Sequence, residues 1–253
     1  MTSRTFIGTS GWNYKHWSNG VFYPHELKQS NWLEYYAQFF NSVEINNTFY
    51  NLPAKNVFIE WRKKVPANFT FAIKANRFIT HMKKLANPAE YVSTFLENAS
   101  GLEEKLKAIL FQLPPYWRFN ASRLEGLFLY LMQQKIIPDL CWALEIRNST
   151  WDCEACHEIL QKYNVTLVYS DWPGCSIEGP LTADFVYIRR HGPGNLYGSE
   201  YSDTTLHRQS SHIKNYLSAV KNIFVYFNND AWGYAVKNAR MLKDLLGRAC
   251  YTG

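Results

Sequence analysis

The acids and bases best placed to do chemistry in this 253-residue chain stand at alternate positions of short apolar runs. In CWALEIR (141–147), read as a β-strand, Leu144 and Ile146 project to one face, and Ala143, Glu145 and Arg147 to the other. An unpaired charge in a core is costly. Glu145 and Arg147 are therefore either a structural ion pair or part of a site. The same alternation turns Glu44 and Asn46 inward in SVEIN, Lys74 in FAIKA and Gln112 in ILFQL. It turns Asp171 inward behind Tyr169 in LVYSD, Tyr187, Arg189 and His191 in FVYIRRHG, and Tyr226, Asn228 and Asp230 in IFVYFNND. One inward polar residue at a strand end is easily structural. Seven strands with one at the same end point to a pocket, and the bland alternative is a polar plug of mutually paired side chains.

Those strands need a frame. Strand signals recur at Phe6–Gly11, Val43–Asn46, Thr70–Ala75, Ile109–Leu113, Trp142–Arg147, Thr166–Asp171, Phe185–Gly192 and Ile223–Asp230. Helical periodicity fills the gaps at Trp32–Phe40, Ala54–Val65, Pro88–Gly101, Arg123–Gln134, Cys153–Tyr163, Thr204–Val220 and Tyr234–Leu246. Only the stretch after Asp171, with Trp172-Pro173-Gly174, reads as a loop. Strands alternating with helices imply a parallel sheet, and eight such units in one chain of this length imply an α/β (β/α)₈ TIM-type barrel. The competing reading is an open doubly wound sheet, but no glycine-rich dinucleotide fingerprint follows any strand. No repeat, low-complexity tract or linker interrupts the chain, so a single domain over 1–253 is expected. In such a barrel the C-terminal mouth does the chemistry.

The same residues carry a family likeness. IGTSGWNYKHWSNGVFYP (7–24), VEINNTFYNLP (43–53), FAIKANRFITH (71–81), FQLPP (111–115), ALEIRNSTW (143–151), TADFVYIRRHG (182–192) and YFNNDAWGYAVKNA (226–239) resemble the YecE-like proteins, domain-of-unknown-function family 72. The motifs run in order through nearly the whole chain. The resemblance implies a TIM-type barrel and no particular reaction. It also brings His81, which closes one motif, to the mouth.

Three functions compete for the pocket. The first is an enzyme without metal: a hydrolase, lyase or isomerase acting on a small polar or anionic, sugar-like molecule. Lys74, Arg147 and Arg189 would grip a carboxylate or phosphate. Glu44 and Glu145 would do acid/base work, since neighbouring carboxylates push their pKa values apart. The expected catalytic set is Glu44, Lys74, Glu145, Asp171, His191 and Asp230. The expected substrate contacts are Trp12, Tyr14, Asn46, Tyr50, His81, Gln112, Arg147, Tyr187, Arg189 and Asn228. Loop aromatics, with Trp17, Tyr23 and Phe49 among them, suit a planar or sugar-like ligand, or simply pack a lid. The second reading takes Glu145, Asp171, His191 and Asp230 as ligands for Mn²⁺, Mg²⁺ or Zn²⁺, in an order that resembles the sugar isomerase and apurinic endonuclease barrels. Two nearby arginines and a single histidine weigh against it. The third is a non-catalytic barrel binding a nucleotide or nucleic acid, with Trp12, Trp17 and Tyr50 stacking bases; it is not favoured. If Glu145 and Arg147 floor a pocket, Glu145→Gln is expected to spare folding and abolish binding. Loss of folding would mark a structural pair.

Composition narrows the rest. A net charge of +6 permits an anionic ligand without demanding nucleic acid, and the basic runs Arg62-Lys63-Lys64 and Lys83-Lys84 read as solvated faces. No apolar run is long enough to span a bilayer, and the first residues lack the apolar core of a secretory signal. A cytoplasmic protein with five free thiols and no membrane partner is expected. Cys153-Glu154-Ala155-Cys156-His157 matches the haem-attachment pattern, but that chemistry lies outside the cytoplasm, and no second pair completes a zinc site. No cofactor is expected beyond the divalent metal of the second reading.

Overall fold

A computed structural model describes residues 3–134 and 139–247. Nine parallel strand segments alternate with helices. The strands are β1 (Arg4–Thr9), β2 (Ser42–Ile45), β3 (Thr70–Lys74), β4 (Leu106–Gln112), β5 (Cys141–Glu145), β6 (Val165–Leu167), β7 (Tyr169–Ser170), β8 (Phe185–Arg190) and β9 (Asn222–Phe227). The helices are α1 (Trp32–Tyr36), the single turn α2 (Asn47–Tyr50), α3 (Lys55–Lys63), α4 (Pro88–Ala99), α5 (Ala121–Gln133), α6 (Glu154–Lys162), α7 (Asp203–Tyr216) and α8 (Tyr234–Leu246). Their starts follow local chemistry. Pro88 opens α4, and the side chains of Asn120 and Ser202 accept the backbone N–H of Arg123 and Thr205 to cap α5 and α7.

One sheet has the order β1-β9-β8-β7 and the other β2-β3-β4-β5-β6. This is the strand order of a TIM-type α/β fold, as expected. The sixth expected strand is two pieces around Val168. β6 pairs with β5 and β7 with β8, so the ladder passes from one neighbour to the other at that residue. Between β1 and β2 side chains replace the ladder. Asn41 accepts from the Ile7 N–H and donates to the Thr5 carbonyl, while the Tyr36 hydroxyl accepts from the Thr9 N–H and donates to the Ser42 carbonyl. Gly8 lies so close to β2 that a Cβ there would stand 2.0 Å from the Ser42 carbonyl oxygen. The segment after Asp171 carries no helix, as the Trp-Pro-Gly loop suggested.

The large core packs strands against helices. A second, smaller apolar cluster fills the interior: Phe6, Ala72, Ala108, Leu110, Cys141, Ala143, Val168, Phe185, Tyr187, Phe224 and Tyr226. These residues share strand parity with Lys74, Gln112, Glu145, Arg189 and Asn228, which follow them toward the C-terminal ends. The interior is therefore layered, apolar below and polar above. A separate depression of about 650 Å³ at the N-terminal end is lined by Arg4, Lys107, Asp184 and Lys221 among others, and stops against Phe6, Phe185 and Phe224.

Candidate functional site

The polar layer is built around Arg189, which is fully buried at the end of β8. Its Nε and Nη2 donate to Glu44 of β2, with Nη2 2.8 Å from Oε1 and Nε 3.0 Å from Oε2. Its Nη1 donates to Glu145 Oε2 of β5 at 2.6 Å. Every guanidinium nitrogen thus ends on a carboxylate. Tyr187, two residues back on the same face, donates to Glu44 Oε2 at 2.6 Å. Glu145 Oε1 accepts from Arg147 Nε and Nη2 at 3.1 and 3.0 Å and lies 3.2 Å from His191 Nε2. Asn228 Nδ2 lies 3.1 Å from His191 Nδ1. With that amide donating, the imidazole keeps its proton on Nε2 and gives it to Glu145.

Burial alone would raise the pKa of both glutamates, but Arg189 outweighs it, and Arg147 adds to the effect at Glu145. Glu44 is lowered and Glu145 lies well below the usual carboxylate range. Burial acts against the charge of Arg189, yet the two glutamates raise its pKa. His191 is lowered, first by burial, with the Glu145 hydrogen bond opposing. Two carboxylates and two guanidiniums make this layer electrically balanced.

Lys74 stands beside it at the end of β3. The residue is 8% exposed, and its amine makes no hydrogen bond or ion pair with any described residue. Nζ lies 4.1 Å from the centre of the Phe49 ring, and His81 meets the same ring edge-on at 5.0 Å. Burial, followed by the charge of Arg189, brings Lys74 down to about 7. Burial and then Lys74 bring His81 down to about 4. Gln112 is buried on β4 and donates to the Leu113 carbonyl.

The structure redistributes several expected roles. Arg189 is held by glutamates on every nitrogen, so its charge is already paired without a ligand anion. Tyr187 is engaged by Glu44. Arg147 binds Glu145 and stacks on Trp172 at 3.6 Å, so Lys74 is the cation of the expected grip without a carboxylate partner. Asp171 ties down a loop: it accepts from the His191 backbone N–H at 2.6 Å and from the Tyr201 hydroxyl. Asp230 pairs with His16 at 3.3 Å, and its carbonyl accepts from Trp17 Nε1. The side chains of Asp171 and Asp230 therefore turn to Tyr201 and His16 while Glu145 meets His191, and among the described residues no group of three His, Cys, Asp or Glu is arranged to hold a metal ion. Cys153, Cys156 and His157 also diverge. Cys156 is buried on α6, and His157 meets Asp152 at 3.0 Å.

Trp12, Tyr14, Asn46 and Tyr50 do share one space. They line a cavity of about 420 Å³ with Asn13, Gln29, Trp61 and Lys64 among its other walls. None of Glu44, Lys74, Glu145 or Arg189 borders it. Tyr14 and Asn46 connect the two regions: both donate to the Ser10 carbonyl, while the Ser10 hydroxyl faces Arg189 Nη2 at 3.5 Å. The buried Asn46 Oδ1 has no hydrogen-bond partner among the described residues. Trp17 and Tyr23 are fully buried, with Tyr23 stacked on Trp32 at 4.5 Å, and are packing residues. Sequence reasoning passed over Trp61, Trp172 and Tyr201. Trp172 directly follows the inward Asp171, which was a usable signal. Nothing local to Trp61 or Tyr201 marks them.

Among the described residues no helix is long and apolar enough to cross a membrane. A family model described as "Protein of unknown function DUF72" matches residues 6–252. The UPF0759 protein YunF of Bacillus subtilis (strain 168) is 23% identical over 276 residues, covering 95% of this chain and 94% of YunF. The UPF0759 protein YecE of Escherichia coli (strain K12) is 31% identical over 144 residues, which is 56% of this chain and 48% of YecE. A crystal structure of a DUF72 family protein from Thermotoga maritima MSB8 superposes with a TM-score of 0.83 at 30% identity, covering 96% of this chain and 99% of that one. A D-psicose 3-epimerase from Clostridium cellulolyticum H10, solved with D-tagatose, shares the fold alone: TM-score 0.54 at 10% identity, over 90% of this chain and 95% of that one. The chain belongs to the DUF72 family.

Proposed function

We propose that this protein is an enzyme acting on a small polar molecule at the C-terminal mouth, with Lys74 as its acid/base group above a rigid floor of Glu44, Arg189, Glu145 and His191. One observation carries the reading: Lys74 is a buried amine beside a charge network that is already balanced without it. As packing, such an amine only costs stability. As a catalytic group brought to about 7, it is poised to take and return a proton near neutrality. The floor holds its neighbours still, and the Phe49 ring beside the amine and the Trp172 plane on Arg147 favour a polar ring or polyol. Ketose sugars, the ligands named with the epimerase of like fold, and phosphorylated or carboxylated sugars belong in the first screen.

Lys74→Met tests this. Methionine fills the same volume without charge, so the variant should melt higher than the parent at pH 7, by about 1 kcal/mol or more in stability. A sugar or sugar acid that raises the parent's melting temperature should leave the variant's unchanged. A variant that melts lower, or one that still responds to the ligand, would remove Lys74 from function.

A further inference from the structure

Lys74 has more to offer than a proton. The two carboxylates of the layer are already in direct contact with Arg189 and Arg147. No acidic side chain among the described residues pairs with Nζ, and its nearest ring is the face of Phe49. A cation over a ring gains on the order of 1 kcal/mol. That gain does not offset burying an ammonium beside two guanidiniums, so the amine is brought to about 7. Near neutrality a large share of it carries a free lone pair, and the residue ends a barrel strand at the mouth, where TIM-type enzymes place reacting groups.

We propose that Lys74 is a covalent nucleophile that captures the carbonyl carbon of a small polar aldehyde or ketone as an imine. The inference rests on the acid/base reading of the same mouth and deepens it by naming the substrate class. The Nζ lone pair attacks the carbonyl carbon, and the C–N bond forms as the C=O π pair moves onto oxygen, which takes a proton. Nitrogen loses a proton to solvent, giving a carbinolamine. The C–O bond then breaks, the oxygen leaves as water with a second proton, and the nitrogen lone pair closes the C=N bond. The protonated imine withdraws electrons from the adjacent carbon. The charges felt by Lys74 are those of Arg189, Glu145, Arg147 and Glu44 in the layer, and His81 stands across the Phe49 ring. His81 is half-buried and uncharged near neutrality, so it can exchange protons with the captured molecule without adding a fixed charge.

The full chain is treated at pH 7 with glycolaldehyde, dihydroxyacetone or pyruvate, each with sodium cyanoborohydride, and adducts are located by peptide mass spectrometry. Reduction turns a transient imine into a stable secondary amine. The expected result is an adduct on Lys74 that forms on the order of a hundredfold faster than on the exposed Lys28 and Lys55. Unfolding in urea should erase the preference. Adducts on Lys28 and Lys55 at rates equal to or above that on Lys74 in the folded protein would overturn the covalent step. If Lys74→Met still cancelled a ligand-induced rise in melting temperature, the acid/base reading would survive that failure. If it did not, both would fall together.

Discussion

Glu145 shows how little freedom the buried charges have. One oxygen accepts from Arg189, and the other serves Arg147 and His191, with no part of the side chain exposed. Glu145→Gln would leave two guanidiniums facing an amide that cannot compensate them. It should lower stability by about 3–5 kcal/mol, read as a fall in the denaturant midpoint at unchanged slope. Unaltered stability would mean that the layer is solvated and Glu145 is free to react. This reverses the expectation that the substitution spares folding, because the alternation of CWALEIR reveals the face of Glu145 but not its three partners. Lys74 is the opposite case, and pH separates the two. Its folded pKa of about 7 lies below the unfolded value of about 10.4. Between these values the unfolded chain binds more protons, so the stability of the parent rises with pH through that window. The advantage of Lys74→Met should therefore be full at pH 6 and mostly gone by pH 9.5, in parallel thermal melts. An advantage that stayed constant across the range would mean that Lys74 keeps its proton in the fold.

At the scale of elements, strand parity carried the most information. It turned Glu44, Lys74, Gln112, Glu145, Arg189, His191 and Asn228 to the interior because each is flanked by residues that must face the helices. Parity is local and says nothing of pairing. Glu44 and Arg189 are 145 residues apart, and only the ring order of the strands brings them together. Loop residues escaped for a related reason. Asp171 was legible as a mouth residue, but its capture by Tyr201 depends on how the β8 loop returns. The seam between β1 and β2 was not legible either, since Asn41 and Tyr36 stitch it from outside any strand. Gly8 marks its tightest point. Gly8→Ala should cost about 2 kcal/mol or more, because the methyl group would meet the Ser42 backbone carbonyl first, with the Tyr36 hydroxyl next at 2.7 Å. A melting temperature equal to the parent's would mean that the two strands stand further apart.

Across the whole molecule, the fold follows from the alternation of strands and helices, and the chemistry from where the interior changes character. Sequence reading gave the inward residues as one population. In three dimensions they divide, because a parallel barrel stacks inward side chains in layers, and here the last layer before the loops carries the charges, most of them paired within it. The layer beneath, from Phe6 and Phe185 up to Tyr187 and Tyr226, is closely packed and apolar. It separates the depression at the N-terminal end from the charged floor. The charged floor is consequently closed off from below. If Lys74 is the reacting group, its substrate must arrive, and its product leave, on the C-terminal side where β3 ends. With no passage from below, arrival of the next molecule would wait on departure of the last.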